Sequence, residues 1–127
     1  MKHKEQERPS EWIEGVLEYI SVCKKEHQEA LDNVKAEEAK LQDFLHKIEF
    51  ADDKNERNRL VTSLRNSRRV RRKNKDRAME LEYVVNWCRD PNNRKVLNGL
   101  TQLLGNQRKR EEYLYGERQY HERTKCV

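Results

Sequence analysis

From Ile13 onward the sequence steps alternately by four and three residues through Leu17, Ile20, Lys24, His27, Leu31, Val34, Glu38, Leu41 and Leu45 to Ile48, and most of these positions are apolar. Val16, Cys23 and Phe44 widen the stripe. Only a helix brings positions at this spacing to one side, since a strand repeats every second residue. The pattern predicts one helix of about 40 residues, roughly 60 Å long at the standard rise. Its start signal is Pro9-Ser10, with Ser10 as N-cap and Glu11 and Glu14 in the electropositive first turn.

Asp52-Asp53 interrupts the stripe and can cap a second helix, whose inward positions are Leu60, Leu64, Ser67, Arg71, Asn74, Ala78, Leu81, Val85 and Cys88. That phase is apolar at both ends and polar in the middle. A second stop falls at Asp90-Pro91-Asn92-Asn93, with Asp90 as N-cap and Pro91 at the first helical position, where its missing N–H costs nothing. A third helix then carries Val96, Leu97, Leu100, Leu103, Leu104 and Leu114 on one face. Gly99 and Gly105 either weaken it or mark the close approach of a neighbour, and Gly116 ends it. The domain organisation expected is a frayed segment 1–10, one helical domain 11–116 with helices at about 11–50, 54–89 and 91–115, and a polar tail 117–127.

Composition agrees with an all-α, coiled-coil-like fold. Of 127 residues 40% are charged and only 34% hydrophobic, with four Gly and two Pro, so a thin seam between long helices is expected rather than a wide core. Short connections favour antiparallel neighbours, giving a hairpin in which opposed residue numbers add to about 104, with the third helix folded back on it. In that register Trp12 and Trp87 lie at one end, beside Val16 and Cys88, as core anchors. Stripes this long are fully covered only by three or more neighbours, which predicts a homodimer.

No apolar run approaches the roughly 20 residues that cross a bilayer, and the first residues lack the apolar stretch of a signal peptide, so a cytoplasmic protein is expected. Cys23, Cys88 and Cys126 are odd in number and widely spaced, which suits reduced thiols. His3, His27, His46 and His121 show no paired ligand spacing and there is no Cys-x-x-Cys, so no metal is predicted. Neither a nucleophile beside a base, nor paired carboxylates in a cleft, nor a glycine loop for phosphate is legible. The expectation is therefore a protein that is not an enzyme, with no cofactor and no small-molecule substrate.

The strongest local feature is the run 65–77. Arg65, Arg68, Arg69, Arg71, Arg72, Lys73, Lys75 and Arg77 stand there against the single acid Asp76, a local net of +7. Such a helix can hold phosphates and release counterions from nucleic acid. The competing reading is structural: the hairpin sets this run against 26–39, where Glu26, Glu29, Asp32, Glu37 and Glu38 outweigh Lys35 by four charges. Ion pairs between the helices would then set register and add little stability. Arg108, Lys109 and Arg110 of the third helix are expected to fall on the same region, and an anionic partner protein or surface is the remaining alternative. No helix-turn-helix is legible, which points to backbone-directed contact.

Two smaller constellations carry paired readings. The polar seam positions Lys24, His27, Glu38, Ser67, Arg71 and Asn74 either fix register or mark helices splayed to receive a partner, and the register reading is the preferred one. Tyr113, Tyr115 and Tyr120 interleave with Arg108, Lys109, Arg110, Arg118 and Arg123, a pattern that can stack bases or form a protein hot spot but that also simply covers a helix end.

The C-terminal half, from Arg68-Arg69-Val70-Arg71-Arg72-Lys73-Asn74-Lys75-Asp76 through Leu100-Thr101-Gln102-Leu103-Leu104-Gly105 to Arg118-Gln119-Tyr120, resembles small helical proteins of unassigned role from phages and prophages of Gram-positive bacteria. The resemblance implies a bacterial cytoplasm and an accessory role, such as regulating transcription or blocking a host defence complex, and it carries over no catalytic residues. Two functions are thus expected to compete: a regulator or inhibitor that engages nucleic acid or a nucleoprotein complex through the basic helix, and a structural adaptor acting only by protein contacts.

Overall fold

A computed structural model of the chain describes residues 7–117. Among these residues the only regular structure is three helices, α1 (Pro9–Glu49), α2 (Lys54–Arg89) and α3 (Pro91–Tyr115). None of them is long and apolar enough to cross a membrane. The chain divides into two compact units, Ile20–Asp90 and Met1–Tyr19 with Pro91–Val127.

The stops act where the sequence places them. Asp53 caps α2 in an extended conformation, its carboxylate accepting the Asn55 N–H at 3.1 Å. Asp90 closes α2 with its N–H on the Trp87 carbonyl at 3.4 Å and is itself extended, as a residue before proline must be. The Gly116 N–H reaches back to the Glu112 carbonyl at 2.9 Å and ends α3. One expected cap is corrected. The helix begins at Pro9 rather than after Ser10, because proline serves as its first residue, and Ser10 is left inside the helix and buried.

The unit Ile20–Asp90 is an antiparallel hairpin. Ser67 bonds Glu37, Arg77 bonds Glu26, Asn33 bonds Asn74 at 3.2 Å, and Arg68 and Arg71 both reach Glu38, so paired numbers add to between 103 and 109. On α2 the inward positions are those of the expected stripe: Ser67, Ala78, Leu81, Val85 and Cys88 are buried. On α1 the stripe departs from expectation after Ile20. Cys23, Ala30 and Glu37 are buried, while the expected Lys24, Leu31, Glu38 and Leu45 are exposed. A step of three from Ile20 to Cys23 replaces the expected step of four and moves the buried line by one residue, after which Ala30 and Glu37 follow Cys23 at seven-residue spacing. The small side chains of Cys23 and Ala30 at the seam suit close approach of α2, and Leu31 is displaced to the flank with 37% of its surface exposed.

The tryptophans are not core anchors. Trp12 is 63% and Trp87 45% exposed, and Val16 is also on the surface, although Cys88 is buried as expected. Trp12 precedes Ile13 and Trp87 precedes Cys88, and one residue is about 100° of helical rotation, which carries each indole off its seam. The Trp12 indole N–H donates instead to the exposed Glu7 carboxylate at 3.2 Å.

In the other unit the first turns of α1 run antiparallel to the end of α3. The Ser10 hydroxyl donates to Glu111 at 2.7 Å, Arg108 pairs with Glu14 at 2.9 Å, and the Arg8 guanidinium lies over the Tyr115 ring at 4.3 Å. Leu104 is the buried apolar residue of α3. Gly99 and Gly105 do not mark a close approach, since a Cβ at either would meet open space.

Candidate nucleic-acid interface on α2

Seam positions 67, 71, 74 and 78 turn one side of α2 toward α1. Because each residue advances the helix by about 100°, positions 65, 69 and 72 then fall on the far side. The basic run 65–77 is thereby split in two by the fold. Arg68, Arg71 and Arg77 are half-buried and held by α1: Arg71 bonds one oxygen of Glu38, Arg68 approaches the other at 3.8 Å, and Arg77 bonds Glu26 and, at 3.1 Å, Glu80 of its own helix. These contacts raise the Arg77 pKa above its ordinary value, the Glu26 bond contributing most and Glu80 next. Arg65, Arg69, Arg72, Lys73 and Lys75 are exposed and have no ion-pair partner among the described residues.

Beneath the arginines lies the polar layer of the hairpin. Glu37 is buried, and its carboxylate accepts from the Ser67 hydroxyl and from Lys40 at 3.2 Å. The Ser67 bond is the main cause that holds the Glu37 carboxyl below its usual value; burial opposes it and Lys40 assists. His27 is buried in the same stretch. The sequence identifies Glu38 as the inward acid, but Glu37 takes that place and Glu38 becomes the surface clamp for two arginines. The signal for this was Ser67, whose small hydroxyl falls opposite Glu37 when paired numbers add to about 104.

Arg65, Arg68, Arg69, Arg71 and Arg72 line one open hollow of about 430 Å³. The Arg68 Nη1 that approaches Glu38 at 3.8 Å is buried and makes no hydrogen bond among the described residues. From Arg65 to Arg72 is seven residues, about 10 Å of helix. Guanidinium groups crowded in this way repel one another, and each offers a planar fork of donors that matches a phosphate or carboxylate. The arrangement can bind anionic oxygens without any chemical step. Among the described residues no group of three or more His, Cys, Asp and Glu is placed to hold a metal ion.

The remaining candidates belong to the other unit. Arg108 is occupied by Glu14, whereas Lys109 and Arg110 are exposed. Tyr113 and Tyr115 are exposed, and the cation on the Tyr115 ring is Arg8 from the start of α1, not one of the basic residues interleaved with the tyrosines in sequence. Tyr120, Arg118, Arg123 and Cys126 lie outside the described residues. No protein-family model matches the chain, and no significant match is found among curated proteins or solved structures.

Proposed function

We propose that this chain is a non-enzymatic binding protein, a phage-type regulator or inhibitor, that engages nucleic acid or a complex handling nucleic acid through the outer face of α2. The observation that supports this reading is the division of the basic run. A belt serving only the hairpin would direct its cations to α1, yet five of the eight basic side chains have no acidic partner among the described residues, and Arg65, Arg69 and Arg72 lie on the side of α2 away from α1. Unneutralised arginines on one helical face are the electrostatic footprint of phosphate binding, which is backbone-directed and weakly specific. The adaptor reading draws its support from the other three, Arg68, Arg71 and Arg77, whose charges serve the pairing of helices.

The test is binding to labelled duplex DNA and single-stranded RNA across a salt series, beside the variant Arg65→Gln, Arg69→Gln, Arg72→Gln. These three are chosen because Arg68 and Arg71 also hold Glu38, and changing them would confound binding with folding. Binding at micromolar concentration or tighter is expected at low salt. For each duplex phosphate that the variant no longer neutralises, the logarithmic salt slope falls by about 0.9. Absence of binding at low salt, or a variant that binds and responds to salt as the parent does, overturns the proposal.

A further inference from the structure

Arg68 differs from the other cations of the α2 hollow. Its Nη1 is turned to Glu38 at 3.8 Å, beyond hydrogen-bond reach, and that atom is buried with no other acceptor among the described residues. Arg71 bonds the second oxygen of the same carboxylate directly and occupies a seam position. Arg68 comes three residues earlier, which sets it about 60° of helical rotation toward the face of Arg65, Arg69 and Arg72. All five arginines line one hollow, and among the described residues Glu38 is the one acid paired with any of them.

We infer that Arg68 is a further phosphate-binding residue of this face and that Glu38 is its internal counter-ion. A phosphate entering the hollow draws the Arg68 guanidinium off Glu38, while Arg71 stays bonded. The inference rests on the phosphate-binding reading of α2 and adds a regulated cation to it. A guanidinium fork accepts carboxylate and phosphate oxygens in the same geometry, so in the free chain Glu38 stands in for the ligand. The Arg68 contact is Coulombic alone and easily exchanged, whereas a phosphate supplies the hydrogen-bond acceptor that its Nη1 lacks. Arg68 is also three residues from Arg65 and four from Arg72, the separations at which helical side chains are neighbours, so it joins their row without movement of the backbone. Glu38 thus lowers the repulsion among crowded cations in the free chain and competes with phosphate for one of them.

The test is binding of labelled duplex DNA across a salt series to the full chain and to Glu38→Gln, repeated in the Arg68→Gln and Arg71→Gln backgrounds. Both members of each comparison share a background, so any effect of losing Arg68 or Arg71 on the hairpin enters both. Glu38→Gln is expected to bind about two- to fivefold more tightly at low salt, the range set by releasing one exposed ion pair. The gain persists in the Arg71→Gln background and disappears in the Arg68→Gln background. Arg68→Gln alone lowers the logarithmic salt slope by about 0.9, the signature of one lost duplex phosphate. Binding of Glu38→Gln equal to the parent overturns the inference. So does a gain of the same size in the Arg68→Gln background, which marks a general effect of net charge, or a salt slope that Arg68→Gln leaves unchanged. The two readings fail differently. If the parent binds, Arg65→Gln, Arg69→Gln, Arg72→Gln abolishes binding and Glu38→Gln is neutral, the outer face stands and Glu38 is removed as its competitor; a parent that does not bind removes both.

Discussion

The hairpin seam has two chemistries along one helix. Toward the end of α2 it is closed by Ala78, Leu81, Val85 and Cys88, all buried. One to three turns earlier it is built from Ser67, Arg71 and Asn74, bonded to Glu37, Glu38 and Asn33. The apolar stretch is nondirectional: a shift of one heptad would still set apolar side chains against apolar ones, so it contributes burial without deciding register. The polar stretch does the reverse. Its net contribution is small, but any other register would strand the buried Glu37 carboxylate without the Ser67 hydroxyl. Stability and specificity thus reside in neighbouring segments of α2, and the charges that take no part in either are the ones left facing outward.

The largest effect expected from breaking this contrast is at the apolar end. Leu81 is 3% exposed, and Leu81→Ala should cost about 2–5 kcal/mol, read from urea unfolding followed by circular dichroism. A cost below about 1 kcal/mol would mean that this end of the seam is not closed by packing.

At the polar end, Ser67→Ala removes the donor on which Glu37 depends and should cost about 1–3 kcal/mol. Adding Glu37→Leu should recover most of that loss while weakening register, detectable as a broadened distance distribution between spin labels on α1 and α2. If the double variant instead stays as unstable as Ser67→Ala alone, the pair does not act as an isolated polar layer.

Protonation sharpens the same point. The Glu37 carboxyl titrates below its ordinary value of 4.5 in the folded chain, chiefly because Ser67 bonds its ionised form. A lowered carboxylate pKa contributes stability that is complete above the unfolded value and lost as pH falls through the folded one. Stability of the parent is therefore expected to decline from about pH 4.5 downward, and the difference from Ser67→Ala to shrink over that interval. A difference that is constant with pH would remove Ser67 as the cause.

The contrast was largely legible in the sequence on α2 and only partly on α1. On α2 the residues Leu60 to Cys88 keep a strict alternation of four and three, and the buried positions fall on it. On α1 the bulky Leu31 drew the stripe to itself, whereas packing chose Cys23 and Ala30, because interhelical distance rewards a small residue at the seam and hydropathy alone does not register distance. Trp12 and Trp87 misled for a related reason: size suggests an anchor, but phase decides which side of the helix a side chain takes. For the candidate interface, the basic run could be read directly; which of its arginines were free depended on the same phase, and so on knowing that Ser67, Arg71 and Asn74 face α1.

The smallest effect concerns the clamp between the two chemistries. Glu38 receives Arg71 on one oxygen and Arg68 at 3.8 Å on the other, with Glu38 43% exposed at its side chain. Removing either arginine leaves the second free to close on the same carboxylate, so Arg68→Gln and Arg71→Gln should each cost only about 0.2–0.5 kcal/mol, typical of exposed pairs. Removing both leaves Glu38 with neither partner. The double variant should therefore exceed the sum of the single ones by about 0.5 kcal/mol in a double-mutant cycle, an excess that fades in high salt. Strict additivity would show that the two arginines do not share Glu38. They would then belong with Arg65, Arg69 and Arg72 on the outward face, and the boundary between the structural and the binding half of the basic run would move inward by one turn.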